Sequence, residues 1–132
     1  MSQENMEVVR RSFDAWNAGD LARWVSMHHS EVIVIPPDGW PEGEPPRSRD
    51  EWLAQAGRLI DSWAEQRVEV VRIHDAGDRV VALFNWVTRG RGSQIDLVTN
   101  MALIATVRDG LITRAEYYND HDEALEAAGL SE

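Results

Sequence analysis

The chain contains no cysteine, has few basic residues for its length and lacks a long apolar run. The absence of cysteine excludes a disulfide framework, a cysteine-ligated zinc site and a thiol nucleophile. Its 13 Lys and Arg residues stand against 23 Asp and Glu residues, and the formal net charge of -10 repels nucleic-acid phosphates and anionic lipid headgroups. No apolar stretch approaches the roughly 20 residues of a membrane span, and the N-terminal residues lack the apolar core of a signal peptide. We therefore expect a soluble cytoplasmic protein that binds neither nucleic acid nor membranes.

Motifs for cofactors and metals are also missing. The sequence has no glycine-rich phosphate loop and no plausible serine triad. The adjacent His28 and His29 close a predicted helix, where neighbouring side chains point apart and make a poor chelate. The sequence therefore predicts no metal site and no cofactor.

The 132 residues are enough for one domain with a single core, and we expect residues 1–132 to form that domain. Apolar residues recur at helical spacing near the N-terminus and again over about 49–65, with a short helix at 21–29 between them. A short strand at 31–35 is followed by the proline-rich "PPDGWPEGEPP", which cannot be regular structure. This loop is either a mobile rim or lid, or an ordinary connection.

After the long helix the apolar period changes to that of strands. Four runs, separated by "DAGD", "GRGSQ" and "RDG", indicate an antiparallel meander in which Asp109 and Gly110 form a two-residue hairpin turn. A closing helix begins at Asp120, with Glu123 at capping-box spacing. This order predicts an α+β domain: three N-terminal helices packed on a strongly bent, mostly antiparallel sheet, and a short C-terminal helix.

Four polar residues interrupt the two strands beside "GRGSQ", and we call them the polar quartet: Asn85, Arg89, Asp96 and Asn100. A register that pairs Arg89 with Asp96 also pairs the two asparagines and places all four on one face, to which the "RDG" hairpin adds Tyr117. If helices cover that face, each unsatisfied polar group costs about 1–3 kcal/mol, so the quartet either lines a cavity and orients a ligand or forms a plain ion pair at the solvated hairpin end. A slip of one residue would reverse the face of the second strand.

Both faces of the predicted sheet are rich in apolar residues. One face packs on the helices, and the other needs a further cover, most simply a second copy of the chain. The sequence therefore predicts a homodimer formed through the sheet.

Three segments resemble the SnoaL-like branch of the nuclear-transport-factor-2-like superfamily, which includes ketosteroid isomerase, scytalone dehydratase, limonene epoxide hydrolase and polyketide cyclases. They are "VVRRSFDAWNAGD", "RVEVVRIHDAGDRVVALFNWVTRGRGS" and "VRDGLITRAEYYNDHDEALEAAGL", and together they cover most of the chain. The resemblance implies a cone with a deep pocket, usually in dimers. It implies no single activity, because the superfamily hosts several reaction classes and many members without known activity.

Enzymes of this superfamily use a carboxylate or histidine as general base in an apolar pocket, where burial raises a carboxylate's pKa toward the operating range. The resemblance makes Asp96, Asp120 and His121 the candidates here. Asp120 is also explained as a helix N-cap, and His121 as a solvated first-turn residue. The chain lacks the epoxide hydrolases' arginine flanked by two aspartates, and it does not match ketosteroid isomerase closely enough to transfer that enzyme's catalytic residues.

Six tryptophans are a high share for this length. Trp16, Trp52 and Trp63 lie on apolar helix stripes, which core packing explains, and Trp16 also resembles a position that reaches the pocket in relatives. Trp24 lies on the short second helix, and Trp40 in the proline-rich loop is either a lid residue or part of an ordinary connection. The candidate ligand-binding residues are therefore Trp16, Trp24, Trp40, Asn85, Arg89, Asn100 and Tyr117.

Three functions are compatible with this pattern. The first is an enzyme without cofactor, an isomerase, lyase or hydrolase that acts on a small, mostly apolar, oxygen-bearing molecule with Asp96 or Asp120 as base. The second is a module that binds such a molecule without chemistry. The third is a dimeric structural domain whose cavity is filled by Trp16, Trp24 and Met27. A base with a raised pKa in the pocket separates the first from the second.

Overall fold

A computed structural model describes residues 2–130, which form four helices and five strands. In chain order these are α1 (Ser2–Asn17), α2 (Leu21–Ser26), β1 (His28–Ile35), α3 (Arg49–Asp61), β2 (Glu65–Ala76), β3 (Arg79–Arg89), β4 (Leu97–Arg108), β5 (Leu111–Tyr118) and α4 (His121–Ala127). The strands make one sheet in the order β1-β5-β4-β3-β2, with β1 parallel to β5 and the other neighbours antiparallel. The predicted α+β class and mostly antiparallel sheet are confirmed.

The helix starts follow local capping chemistry. Ser48 accepts a hydrogen bond from the backbone N–H of Glu51, and Asp120 accepts one from that of Glu123. The Asp120 cap is the one predicted above, and Ser48 and Glu51 have the same capping-box spacing in the sequence. Among the helices in the described residues, none has the length and apolar character required to cross a membrane.

The prediction of a helix at 21–29 was wrong at its C-terminal end. His28 and His29 belong to β1, and the backbone N–H of Ile112 in β5 donates to the carbonyl of Met27 at 2.8 Å. Pairing with a strand far along the chain thus satisfies backbone groups that a longer helix would otherwise use. As predicted, a strand separates the second helix from the third, although β1 begins at His28.

The two faces of the sheet contact different helices. On one face, Val80, Ala82 and Phe84 of β3 pack in the core formed with the helices before the meander. On the other face, a smaller apolar cluster joins the sheet to α4: Val81, Leu83, Ala102, Ile104, Ala124 and Ala128. The C-terminal helix therefore covers part of the second face.

Candidate functional site

A cavity of about 210 Å³ lies between the sheet and the helices packed on it. Residues of α1, α2, α3 and all strands except β1 line it, together with Pro37 to Pro41 of the β1–α3 loop. Eight of the lining side chains are aromatic: Phe13, Trp16, Trp24, Trp40, Trp52, Phe84, Trp86 and Tyr117. The wall is therefore largely apolar and built mainly from ring faces and edges.

Four of the tryptophans contact each other in a chain. The ring of Trp24 lies 5.1 Å from that of Trp16 and 5.4 Å from that of Trp52, and Trp52 lies 5.8 Å from Trp40. The rings meet in tilted or edge-on arrangements, which aromatic pairs prefer to face-to-face stacking. They support one another along the wall and leave the cavity beside them open.

Two glutamines accept hydrogen bonds from three of the tryptophan indoles in the cavity wall. The side-chain oxygen of Gln66 accepts hydrogen bonds from Trp16 Nε1 at 2.7 Å and Trp86 Nε1 at 3.0 Å. The side-chain oxygen of Gln55, in α3, accepts one from Trp40 Nε1 at 2.9 Å. Each indole N–H that is satisfied in this way fixes the ring plane facing the cavity.

Two further polar groups of the wall have no partner within residues 2–130. The indole nitrogen of Trp52 is buried and makes no hydrogen bond. The hydroxyl of Tyr117 also lacks a partner in these residues, and burial raises its pKa far above the ordinary value for tyrosine. The hydroxyl therefore stays protonated at neutral pH.

The β1–α3 loop forms one side of the cavity mouth and is attached at several points. Asn119 donates to the backbone carbonyl of Asp38 at 2.9 Å, and Arg58 of α3 binds the carboxylate of Glu42 at 2.7 Å. The bond from Trp40 to Gln55 adds a third attachment. Trp40, the tryptophan of this loop, thus belongs to the cavity wall, as expected of a lid residue.

Four predicted ligand-binding residues line this cavity, but Tyr117 lies on a different face of the sheet from the predicted one. Trp16, Trp24, Trp40 and Tyr117 all line the cavity. Tyr117 was predicted on the face of the polar quartet, which was wrong, because it pairs with Leu103 and lies on the helix-covered face. The register of β4 and β5 shifts by one residue between Thr106 and Val107, and such a bulge exchanges the faces of all later residues.

The polar quartet has the predicted pairing but lies on the other face of the sheet. Asn85 pairs with Asn100, and Arg89 Nε lies 3.0 Å from Asp96 Oδ1. None of the four lines the aromatic cavity. Arg89 also approaches Glu65 at 3.3 Å. Arg89 and Asp96 thus form the ion pair at the solvated end of the hairpin that was the alternative to a ligand-binding role. The expected placement in a helix-covered cavity is corrected, because helices α1 to α3 cover the opposite face.

The candidate bases Asp120 and His121 also lie outside the cavity wall. Asp120 caps α4 through the backbone N–H of Glu123 at 3.1 Å. His121 Nε2 lies 3.1 Å from the backbone carbonyl of Phe84. Among the described residues, the carboxylate that does line the cavity is Asp38, at the mouth.

Sequence reasoning missed Trp52, Trp86 and Asp38 as cavity residues. Trp86 shares the period-two face of Phe84, so the strand pattern contained a signal for it once the helix-covered face was known. Trp52 was assigned to the apolar stripe of α3, which is correct but incomplete. Within residues 2–130, no three His, Cys, Asp or Glu side chains come together as a metal site.

The fold and the aromatic cavity define the class of protein. A family model described as a SnoaL-like domain matches residues 9–115, most of the chain. The chain belongs to this family, within the nuclear-transport-factor-2-like superfamily. The resemblance seen in the sequence is therefore confirmed.

Solved structures with the same fold come from several bacteria. A protein of unknown function from Burkholderia pseudomallei with this fold is 21% identical, covers 93% of this chain and 95% of its own, and has a TM-score of 0.78. A putative SnoaL-like polyketide cyclase from Jannaschia sp. CCS1 is 20% identical, with coverages of 99% and 94% and a TM-score of 0.76. A protein with a ketosteroid isomerase-like fold from Catenulispora acidiphila, in complex with trimethylamine, is 18% identical, with coverages of 94% and 93% and a TM-score of 0.75.

At these identities the similarity shows a shared fold and does not show a shared activity. None of the curated proteins matches the chain in sequence.

Proposed function

We propose that the protein binds a small, mostly apolar, oxygen-bearing molecule in the aromatic cavity. The observation that carries this proposal is a cavity that remains open although eight aromatic side chains surround it. Ring-lined cavities with a few convergent polar groups are the usual form of small-molecule sites. Its volume of about 210 Å³ lies below the range of about 300–1,000 Å³ for drug-sized ligands, which favours a compact ligand such as a substituted ring.

Binding is supported better than catalysis because the cavity wall has few groups that transfer protons. Among its described residues, Asp38 and Tyr117 are the titratable ones, and Asp38 is exposed at the mouth. The predicted bases Asp96, Asp120 and His121 lie elsewhere and would need a second site to act.

Isomerase, lyase or hydrolase chemistry without a cofactor is the second candidate function. It is favoured by the position of Asp38 at the cavity mouth and by the likeness to a putative polyketide cyclase. Incubation of a bound compound with the protein, followed by product analysis, tests it. Turnover lost in Asp38→Asn and retained in Asp96→Asn would assign the base to the cavity mouth, and the reverse result would assign it to the outer face.

A thermal-shift screen of small ketones, lactones, epoxides and phenols tests the binding proposal. A ligand at a hundred times its dissociation constant adds about 2.7 kcal/mol to the free energy of unfolding, which raises Tm by several degrees in a domain of this size. We expect Thr99→Phe to abolish the shift, because Thr99 lines the cavity and the larger side chain fills it.

The matched control is Asn100→Phe, which places the same ring on the neighbouring exposed residue, outside the cavity wall. It should retain the full ligand-induced shift. Equal shifts in both variants would place the ligand elsewhere on the protein, and a flat response across the library would favour a structural role.

We also propose that the protein forms a homodimer through the sheet. Support comes from apolar side chains at the start of β4 and just before it, where Ile95, Leu97 and Val98 are between 55% and 78% exposed. Exposed apolar residues that adjoin one another commonly mark an interface. We expect light scattering to give twice the mass of one chain for the wild type and the mass of one chain for Val98→Arg; a monomeric wild type at high concentration would refute the dimer.

A further inference from the structure

The aromatic cavity combines electron-rich rings with the carboxylate of Asp38 at its mouth, and this combination suits a positively charged ligand. We propose that the ligand is a small compound with a methylated ammonium group, which lies against the rings of Trp40, Trp52 and Tyr117 with Asp38 as its counter-charge. This inference rests on the proposed function, because it names the ligand class of the same cavity.

Three rings meet where the β1–α3 loop, which carries Asp38, joins the cavity wall. The ring centre of Trp52 lies 5.8 Å from that of Trp40 and 5.8 Å from that of Tyr117, and each pair is inclined by 53°. Rings inclined in this way are not stacked face to face, so ring surface stays uncovered, and all three line the cavity. Ring faces attract quaternary ammonium groups through their negative potential, and several rings together form the usual site for such a group.

The positive edges of the two tryptophans are not offered to the ligand. An aromatic ring is negative on its face and positive at its edge, and the indole N–H is part of that edge. Trp40 Nε1 donates to Gln55, and Trp52 Nε1 is buried. A ligand therefore meets the ring carbons of these residues, which favours a cation over an anion.

The charges around the cavity favour a cation as well. Within residues 2–130, no Arg, Lys or His side chain lines the cavity. Arg58, which contacts the loop at the mouth, is paired with Glu42 at 2.7 Å. The ring of His28 lies 4.8 Å from that of Trp24, but burial lowers the pKa of His28 to about 4, so it is uncharged at neutral pH. Together with Asp38, the net charge of -10 attracts a cation to the mouth and repels an anion.

Three compact, oxygen-bearing probes of nearly equal shape separate the effect of charge from that of size. They are choline, whose nitrogen carries three methyl groups; 3,3-dimethylbutan-1-ol, in which carbon replaces that nitrogen; and 3,3-dimethylbutanoate, the corresponding carboxylate. Calorimetric titration of the wild type at constant ionic strength should give an affinity for choline about tenfold above that for the alcohol, which is the contribution of a partly desolvated cation–aromatic contact. The carboxylate should bind more weakly than the alcohol.

Two variants test the residues that the inference names. Asp38→Asn removes the counter-charge, and Trp40→Leu removes one ring while it keeps an apolar side chain. The measured quantity is the ratio of the affinities for choline and the alcohol within one variant, because a general loss of cavity shape affects both probes alike. We expect the ratio to fall to about threefold in each variant. Glu44→Gln is the matched control for Asp38→Asn and should keep the tenfold ratio, since Glu44 is an exposed carboxylate of the same loop outside the cavity wall.

Thr99→Phe separates binding in the cavity from binding to the acidic surface of the protein. The larger side chain fills the cavity, so this variant should no longer bind choline. Choline binding that survives the substitution would place the cation on the surface and overturn the inference.

The remaining failures are distinct. Equal affinities for choline and the alcohol would overturn the inference and leave the proposed function standing. Tighter binding of the carboxylate than of choline would overturn it in favour of an anion site, and so would a ratio that stays at tenfold in both Asp38→Asn and Trp40→Leu. Saturable binding of none of the probes would overturn it too, and the thermal-shift screen of neutral compounds then decides the proposed function separately.

Discussion

In a Gln66→Leu variant, the free energy of unfolding is expected to fall by about 2–6 kcal/mol. The side-chain oxygen of Gln66 is the acceptor for both Trp16 Nε1 and Trp86 Nε1, and leucine offers none. Two partly buried donors then lose their partner at once, and each such loss costs about 1–3 kcal/mol. Urea denaturation measures the loss, and a weaker ligand-induced thermal shift should accompany it because both rings line the cavity.

Gln66→Glu is the control for this effect because it keeps an oxygen acceptor at the same position. It should lose less than half as much stability as the leucine variant. If the leucine variant loses less than about 0.5 kcal/mol, which is the range of ordinary surface substitutions, Gln66 does not support the two tryptophans energetically.

Acid is expected to destabilise the protein through His28. The residue is 1% exposed, and burial together with the charge of Arg49 lowers its pKa from 6.5 to about 4, despite an opposing hydrogen bond to the backbone carbonyl of Trp24. Between these two pH values the unfolded chain binds a proton at His28 and the folded chain does not. The contribution of His28 to the free energy of unfolding is therefore constant above about pH 6.5. It falls as the pH drops toward about 4, by about 3 kcal/mol in total.

A His28→Gln variant tests this dependence, because glutamine does not titrate and still offers an N–H to the carbonyl of Trp24. Urea denaturation at a series of pH values should show a shallower loss of stability below pH 6.5 than in the wild type. His29→Gln, which changes the neighbouring and less buried histidine, is the control and should keep the wild-type slope. Parallel pH profiles for wild type and His28→Gln would contradict the assignment to His28.

Features set by neighbouring residues were predictable from the sequence. The caps at Ser48 and Asp120 depend on groups three residues away, and the pairing of Asn85 with Asn100 depends on one short turn. Each of these follows from local stereochemistry. The resemblance to the SnoaL-like family then supplied the overall fold.

Features set by distant residues were not predictable in this way. The face of Tyr117 depends on a bulge in β5, and the strand conformation of His28 depends on pairing with Ile112. The side of the sheet that the helices cover depends on how the chain packs as a whole, and both faces carry apolar residues. This is why the polar quartet was placed in the cavity although its register was correct, and why Trp52 was not recognised as a cavity residue.

The parallel pairing of β1 with β5 also has a consequence for how the protein forms during synthesis. Residues around Val34 have their strand partners around Ala115, far along the chain. A domain dominated by such distant contacts folds slowly, because the long loop must close before its contacts stabilise it. Emerging β1 therefore has no sheet partner until β5 has been made, so the N-terminal helices and their tryptophans stay partly exposed until then.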